Sequence, residues 1–122
     1  YAHMQLTLDK DIVIQSWSPG ELRVNDTLIT CNCLIHGKQV FKHWQPAPLG
    51  EMTRDDFAAA FELKPEIILL GTGATQLFPS IELITLIMQQ GIAFEVMDTA
   101  AACRTFNVLN GESRSVVAAL LV

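Results

Sequence analysis

A chain of 122 residues that is half hydrophobic and 17% charged has the size and balance of one domain able to bury its own core, which excludes a disordered or fibrous class. Its net charge of −5 supplies no electrostatic basis for binding phosphate backbones, so nucleic acid is not an expected partner. No apolar run reaches the roughly 20 residues of a membrane-spanning helix, and three cysteines make a sparse, odd set suited to reduced thiols rather than a disulfide framework.

Tyr1–His3 read as residues left from cloning ahead of an initiator at Met4, and the opening shows no export signal. The expected product is one cytoplasmic domain over residues 4–122, with no direct membrane insertion. Residues 5–8 (QLTL) and 11–17 (DIVIQSW) are rich in β-formers, and SPGE at 18–21 signals a turn. ELRV at 21–24 meets TLITCNCLI at 27–35 across Asn25-Asp26, a pair suited to positive φ in a tight hairpin. His36-Gly37-Lys38 makes a second turn before QVFKHW at 39–44. This half is expected to be a meander of short antiparallel strands, ending in the Pro-rich connector QPAPLG at 45–50.

The period changes at Thr53, which with Asp56 resembles a capping box, Met52 and Phe57 taking the staple positions on either side. The helix it opens ends before Pro65, and EIILL at 66–70 has the continuous apolar character of a strand covered on both faces. Pro79 suits the first turn of a second helix. There Glu82, Thr85 and Gln89 form the only polar stripe, so this helix is expected to be largely buried up to its stop at Gly91. IAFEVM at 92–97 completes a parallel strand–helix–strand unit. Asp98 and Thr99 offer a cap for a third helix, which Asn110-Gly111 is expected to close in the left-handed conformation, before a last buried strand, SVVAALLV.

The most motif-like stretch is Gly71-Thr72-Gly73. It lacks the lysine of a Walker loop, and Gln76 stands where a dinucleotide fingerprint needs its third glycine. The expected role is structural: Gly71 and Gly73 allow unusual backbone geometry or close approach, and Thr72 bonds locally. Asp98, Thr99, Arg104, Asn107 and Arg114 crowd into an otherwise apolar half. Mechanically, Asp98 and Thr99 cap a helix, Arg104 pairs with Asp98 or Glu112, and Asn107 holds a loop carbonyl. Functionally, the same residues would rim a pocket with the glycine loop, where α/β sheets place ligands, and the two arginines would suit an anion.

Cys31 and Cys33, two apart on one predicted strand, present both thiols to one face. His36 and His43 lie nearby, but zinc sites take their cysteines as C-x₂₋₄-C pairs and a second pair is missing, so two small core hydrophobes and no metal are expected. Cys103 in the third helix is core or pocket-lining, with a thiol pKa lowered by the helix N-terminus and Arg104. Trp17 and Trp44 read as core, or, if exposed beside the connector, as anchors for a partner.

The blocks LLGTG at 69–73 and VMDTAAACRTFNVLNGESRSVVAALL at 96–121, with the tryptophan before the connector, resemble a family of small α/β domains of unassigned activity. It includes the third assembly factor of mitochondrial respiratory complex I and an adipogenesis-associated vertebrate protein. The resemblance implies three layers: a central mixed sheet, helices on both faces, and a small antiparallel β layer from the N-terminal half. It departs at Gly111-Glu112-Ser113-Arg114, where the family carries an acidic–glycine–arginine step and Ser113 replaces a flexible turn position. It implies no enzyme activity and no cofactor. The expected function is non-catalytic protein association in assembling a larger complex, a respiratory-complex subunit among the partners. The alternatives are small-anion binding at the 71–73 and 98–114 corner, or an undescribed enzyme using Cys103 or Thr99.

Overall fold

A computed structural model describes residues 4–122; the reading of Tyr1–His3 lies outside them. Among the described residues, nine strands form two sheets. The larger contains β1 (Met4–Thr7), β5 (Cys33–His36), β6 (Gln39–Lys42), β7 (Ile67–Gly71), β8 (Ala93–Met97) and β9 (Val116–Leu120) in the order β1-β6-β5-β9-β7-β8. The smaller joins β2 (Ile14–Ser18), β3 (Glu21–Val24) and β4 (Thr27–Ile29). The sheet is mixed: β7 is parallel to both β8 and β9, whereas β9 meets β5 antiparallel.

The local signals act as their chemistry dictates. Asn25 and Asp26 take φ of 44° and 68° in the β3–β4 hairpin, the doubly positive geometry that Asn and Asp tolerate best after glycine. Thr53 opens a 3₁₀ turn over Arg54–Phe57 that runs into α1 (Ala58–Glu62). Its N–H donates to Asp56 Oδ2 at 2.9 Å, the reciprocal half of a capping box. The other Asp56 oxygen accepts from the Ala47 N–H, so this one carboxylate also ties down the Pro-rich connector. The second helix, α2 (Ile81–Gln89), starts after Ser80, whose hydroxyl accepts the Leu83 N–H; Pro79 precedes the cap instead of occupying the first turn.

Two expectations fail in the N-terminal half. The meander is confined to β2–β4, while β1, β5 and β6 extend the large sheet. The stretch 27–35 is not one strand: it breaks at 30–32, where Asn32 turns its side-chain oxygen to the Val122 N–H (2.7 Å). Anchoring the end of the chain in this way sends β5 alongside β9.

Chain reversal sets the layers. β7 leads through α2 to β8 on one side, and β8 returns through α3 (Thr99–Gly111) to β9 on the other side of β7. Right-handed crossovers in opposite directions put their helices on opposite faces. Ile67 and Leu69 of β7 accordingly face Ala102, Cys103 and Phe106 of α3, together with Ile14, Leu22 and Val24 of the small sheet. Ile68 and Leu70 face Phe57, Leu83 and Ile87. A continuous apolar run is what a strand with two covered faces requires.

Candidate functional site

The C-terminal ends of β7 and β8 are where the two crossovers part, the crevice in which open α/β sheets hold ligands. In this chain the crevice is closed by its own hydrogen bonds. Thr99, fully buried, is the hub. Its hydroxyl donates to the Leu121 carbonyl and accepts the Gly73 N–H, both at 2.8 Å. The Thr99 N–H returns to the Gly73 carbonyl (2.9 Å), the Thr72 N–H to Met97, and the Leu121 N–H to Gly71. Thr72 Oγ1 donates to the Thr75 carbonyl at 2.6 Å and accepts the Leu77 N–H. Thr99 therefore spends its hydroxyl on two loops instead of capping α3, a correction to its expected role.

The glycines have separate functions here. A Cβ on Gly71 would stand 3.0 Å from Leu120 Cδ2 and from Thr99 Oγ1, and 3.1 Å from Thr99 Cα, so β7 and the start of α3 meet only because that side chain is missing. Gly73 has open space around it but a φ of +91°, which side chains rarely adopt. With the Thr72 and Gly73 N–H groups already bonded, the loop does not present them to a phosphate.

The polar residues expected at this corner do not converge. Asp98 is the N-cap of α3, its Oδ1 accepting the Ala101 N–H at 2.8 Å. Asn107 faces the small sheet, where it donates to the Ile14 carbonyl (2.9 Å) and accepts the Ile14 N–H (2.8 Å). Arg104 is exposed and, among the described residues, forms no ion pair with Asp98 or Glu112. Six positions separate Arg104 from Asp98, and 3.6 residues per turn carries it away from the cap. Arg114 pairs with Glu66 (3.6 Å), both exposed, at the opposite end of the sheet. The register Ile67↔Val116 and Gly71↔Leu120 separates those ends by about 13 Å at 3.3 Å per residue. Arg114 thus stands at the opposite end of the sheet from the glycine loop.

The thiols are also placed differently. Cys33 is fully buried in β5, while Cys31 lies half-buried in the bend before it, so the two do not share a strand face. Burial pushes the Cys33 thiol well above its ordinary range, and Cys31 and Cys103 add to that. Cys103 is pushed up to about 12 by burial, which outweighs the lowering by Arg104; the activated thiol expected there is overturned. Among the described residues no three His, Cys, Asp or Glu side chains group to hold a metal ion.

Trp44 is 3% exposed and packs edge-on against Phe57 (5.6 Å between centroids), its Nε1 donating to the Asp56 carbonyl at 2.7 Å. It is core, not a surface anchor. Trp17 is half-buried, and its buried Nε1 has no partner among the described residues.

What the sequence missed is the surface of α2. Only Leu83 and Ile87 are buried; Ile81 is 73% exposed and Met88 56%, and the preceding segment leaves Phe78 at 64% and Leu77 at 54%. The helix lies over β8, the sheet's last strand, and no element among the described residues covers its outer side. A cleft of about 200 Å³ between α2 and the 3₁₀ turn, floored by Met52, Leu83 and Leu86, is smaller than the roughly 300–1,000 Å³ that metabolite sites occupy. No helix among the described residues is long and apolar enough to cross a membrane.

Residues 14–121 match the family described as protein of unknown function DUF498/DUF598, and the chain belongs to that family. It is 31% identical over 120 residues to NADH dehydrogenase (ubiquinone) 1 alpha subcomplex assembly factor 3 of Danio rerio, covering 97% of this chain and 68% of that protein. It is 32% identical over 110 residues to the human protein of the same name, covering 88% of this chain but only 59% of the relative. Among solved structures, the NMR structure of a Xanthomonas campestris protein superposes with a TM-score of 0.84 at 32% identity, over 93% of this chain and 86% of the other. The three-layer mixed α/β architecture is shared.

Proposed function

We propose that this chain is a non-catalytic domain that associates with other proteins and assists the assembly of a larger complex, with a subunit of an NADH dehydrogenase-type complex as partner. The observation that carries the non-catalytic part is the closed crevice: Thr99, Thr72 and the glycine-loop amides bond to the chain itself, and Arg104, the cation of α3, stands exposed without an ion pair among the described residues. The relatives named as assembly factors support the assembly role. The exposed apolar run from Leu77 to Met88 supports protein rather than metabolite as the object bound. The 4–122 unit acts as one domain in this reading. The free thiols among the described residues are consistent in this reading with a reducing compartment.

Affinity capture from the native host tests this directly, run beside a thermal-shift screen of nucleotides, carboxylic acids and phosphate. The expected result is capture of respiratory-complex subunits, with a melting midpoint that no metabolite raises. A saturable metabolite shift that Asp98→Ala or Gly73→Ala abolishes, in variants that remain folded, would overturn it in favour of anion binding at the corner.

A further inference from the structure

We propose that Asn110 is a site of spontaneous modification: its side-chain amide is lost through a cyclic imide formed with Gly111, at a rate set by opening of the last turn of α3. The sequence holds four asparagines, Asn25, Asn32, Asn107 and Asn110, and only the last precedes a glycine. The structure separates them further. Asn25 accepts the Val13 N–H and donates to the Asp11 carbonyl, Asn32 accepts the Val122 N–H, and Asn107 bonds Ile14 twice. The Asn110 side chain is half-buried and makes no hydrogen bond among the described residues. Gly111 is exposed, and a Cβ built there meets nothing within 4 Å, so the space beside its nitrogen is open.

The step balances with water alone. The Gly111 amide nitrogen gives up its proton and attacks Asn110 Cγ; the Cγ–Nδ2 bond breaks and ammonia leaves, closing a succinimide ring. Water then opens either carbonyl of the ring and leaves aspartate or isoaspartate at 110. Glycine favours the attack because it carries no side chain beside the nucleophile and permits the backbone rotation. The helix opposes it. Ring closure turns Asn110 out of the helical ψ and takes from Gly111 the proton that an α-helix directs at the carbonyl four residues back. Asn110 also lies within the terminal reversal of α3: its carbonyl accepts the Ser113 N–H (3.1 Å), and the Arg114 N–H reaches the Leu109 carbonyl (3.0 Å). Those bonds hold Ser113 at φ +61°, where a side chain is strained. Helix ends open far more readily than the packed interior, so Asn110 sits where opening is easiest, whereas Asn107 lies a turn further in and is tied to the small sheet. The product records the opening permanently. It places a carboxylate at the negative end of the helix and, as isoaspartate, adds a methylene to the backbone inside the reversal.

The test incubates the full chain in mildly alkaline buffer, native and in urea, and follows conversion by intact mass and by peptide mapping that separates aspartate from isoaspartate. In the native chain conversion should be confined to Asn110, and unfolding in urea should speed it about tenfold. Gly111→Ala, for which there is room, should slow it in both states. Ser113→Gly, which relieves the strained turn, should slow it about two- to fivefold in the native chain alone. The modified fraction, separated on an anion exchanger by its added charge, should melt below the unmodified chain. Four results would each overturn the proposal. They are native conversion at Asn25, Asn32 or Asn107 as fast as at Asn110, a native Asn110 still intact long after the urea arm has converted completely, conversion in neither state, and a Ser113→Gly variant that is not slowed or is slowed equally in both states.

Discussion

Thr99 and Arg104 sit five positions apart on α3 and carry opposite weight. Removing the Thr99 hydroxyl in Thr99→Val keeps its volume but takes the partner from the part-buried Gly73 N–H and Leu121 carbonyl. The expected cost is about 2–3 kcal/mol, measured by urea unfolding. Arg104→Ala removes an exposed side chain with no ion pair among the described residues, and stability should stay within about 0.5 kcal/mol. The thiols make a pH prediction. An unfolded cysteine ionises near pH 8.5, whereas folded Cys103 holds its proton to about 12. Above the first value the unfolded state has lost a proton that the folded state keeps, so stability falls as pH rises through that window and is flat below it. Urea midpoints between pH 7 and 10.5 should show the decline, and Cys103→Ala should reduce its slope.

At the scale of elements, the end of α3 shows how a helix stops without glycine at the decisive position. Asn110-Gly111 was the expected stop, but the helix continues through Gly111 and Ser113 takes the left-handed conformation, φ +61°. The Ser113 N–H bonds to Asn110 and the Arg114 N–H to Leu109, the paired reversal of a Schellman end. Ser113 is the position at which the resemblance implies glycine and this chain carries serine. Because a side chain in this region is strained, Ser113→Gly should stabilise the chain by about 0.5–1 kcal/mol in thermal or urea unfolding, although glycine also loosens the unfolded state. An unchanged or lowered midpoint would mean that the turn has no strain to relieve. α2 ends differently, with Gly91 at φ +79°, as its sequence foretold.

At the scale of the molecule, both cores are built on the same strands. β7 and β9 contribute alternate side chains to the α3 side and to the α2 side, so neither half retains its apolar surface if the sheet parts. Trp17 packs against the first core and Trp44 lies within the second, which gives two independent reporters. In Trp17→Phe and Trp44→Phe variants, the fluorescence transition of the remaining tryptophan should coincide with that of far-ultraviolet circular dichroism, as one cooperative unit requires. Separated midpoints would divide the 4–122 unit. The variants should also differ in stability: Trp44→Phe loses a hydrogen bond and ring packing, whereas Trp17→Phe removes an N–H that has no partner among the described residues.

Local chemistry was legible in the sequence wherever a residue acts on its own backbone neighbourhood. The Asn25-Asp26 hairpin, the Thr53–Asp56 box, the Asp98 cap and the doubly buried run in β7 all follow from side-chain chemistry and spacing within a few residues. The Gly71 contact was legible in kind, as close approach, though not in its partner. Three matters were decided only when distant segments met. The strand expected over 27–35 divides because Asn32 takes the Val122 N–H from 90 residues away. Arg114 leaves the corner because β9 runs parallel to β7, which puts its start at the far end of the sheet. The outer face of α2 stays open because β8 is the last strand, leaving nothing to pack over Ile81 and Met88. Periodicity records which residues share a face of their own element; whether that face meets protein or water depends on which elements the topology brings beside it.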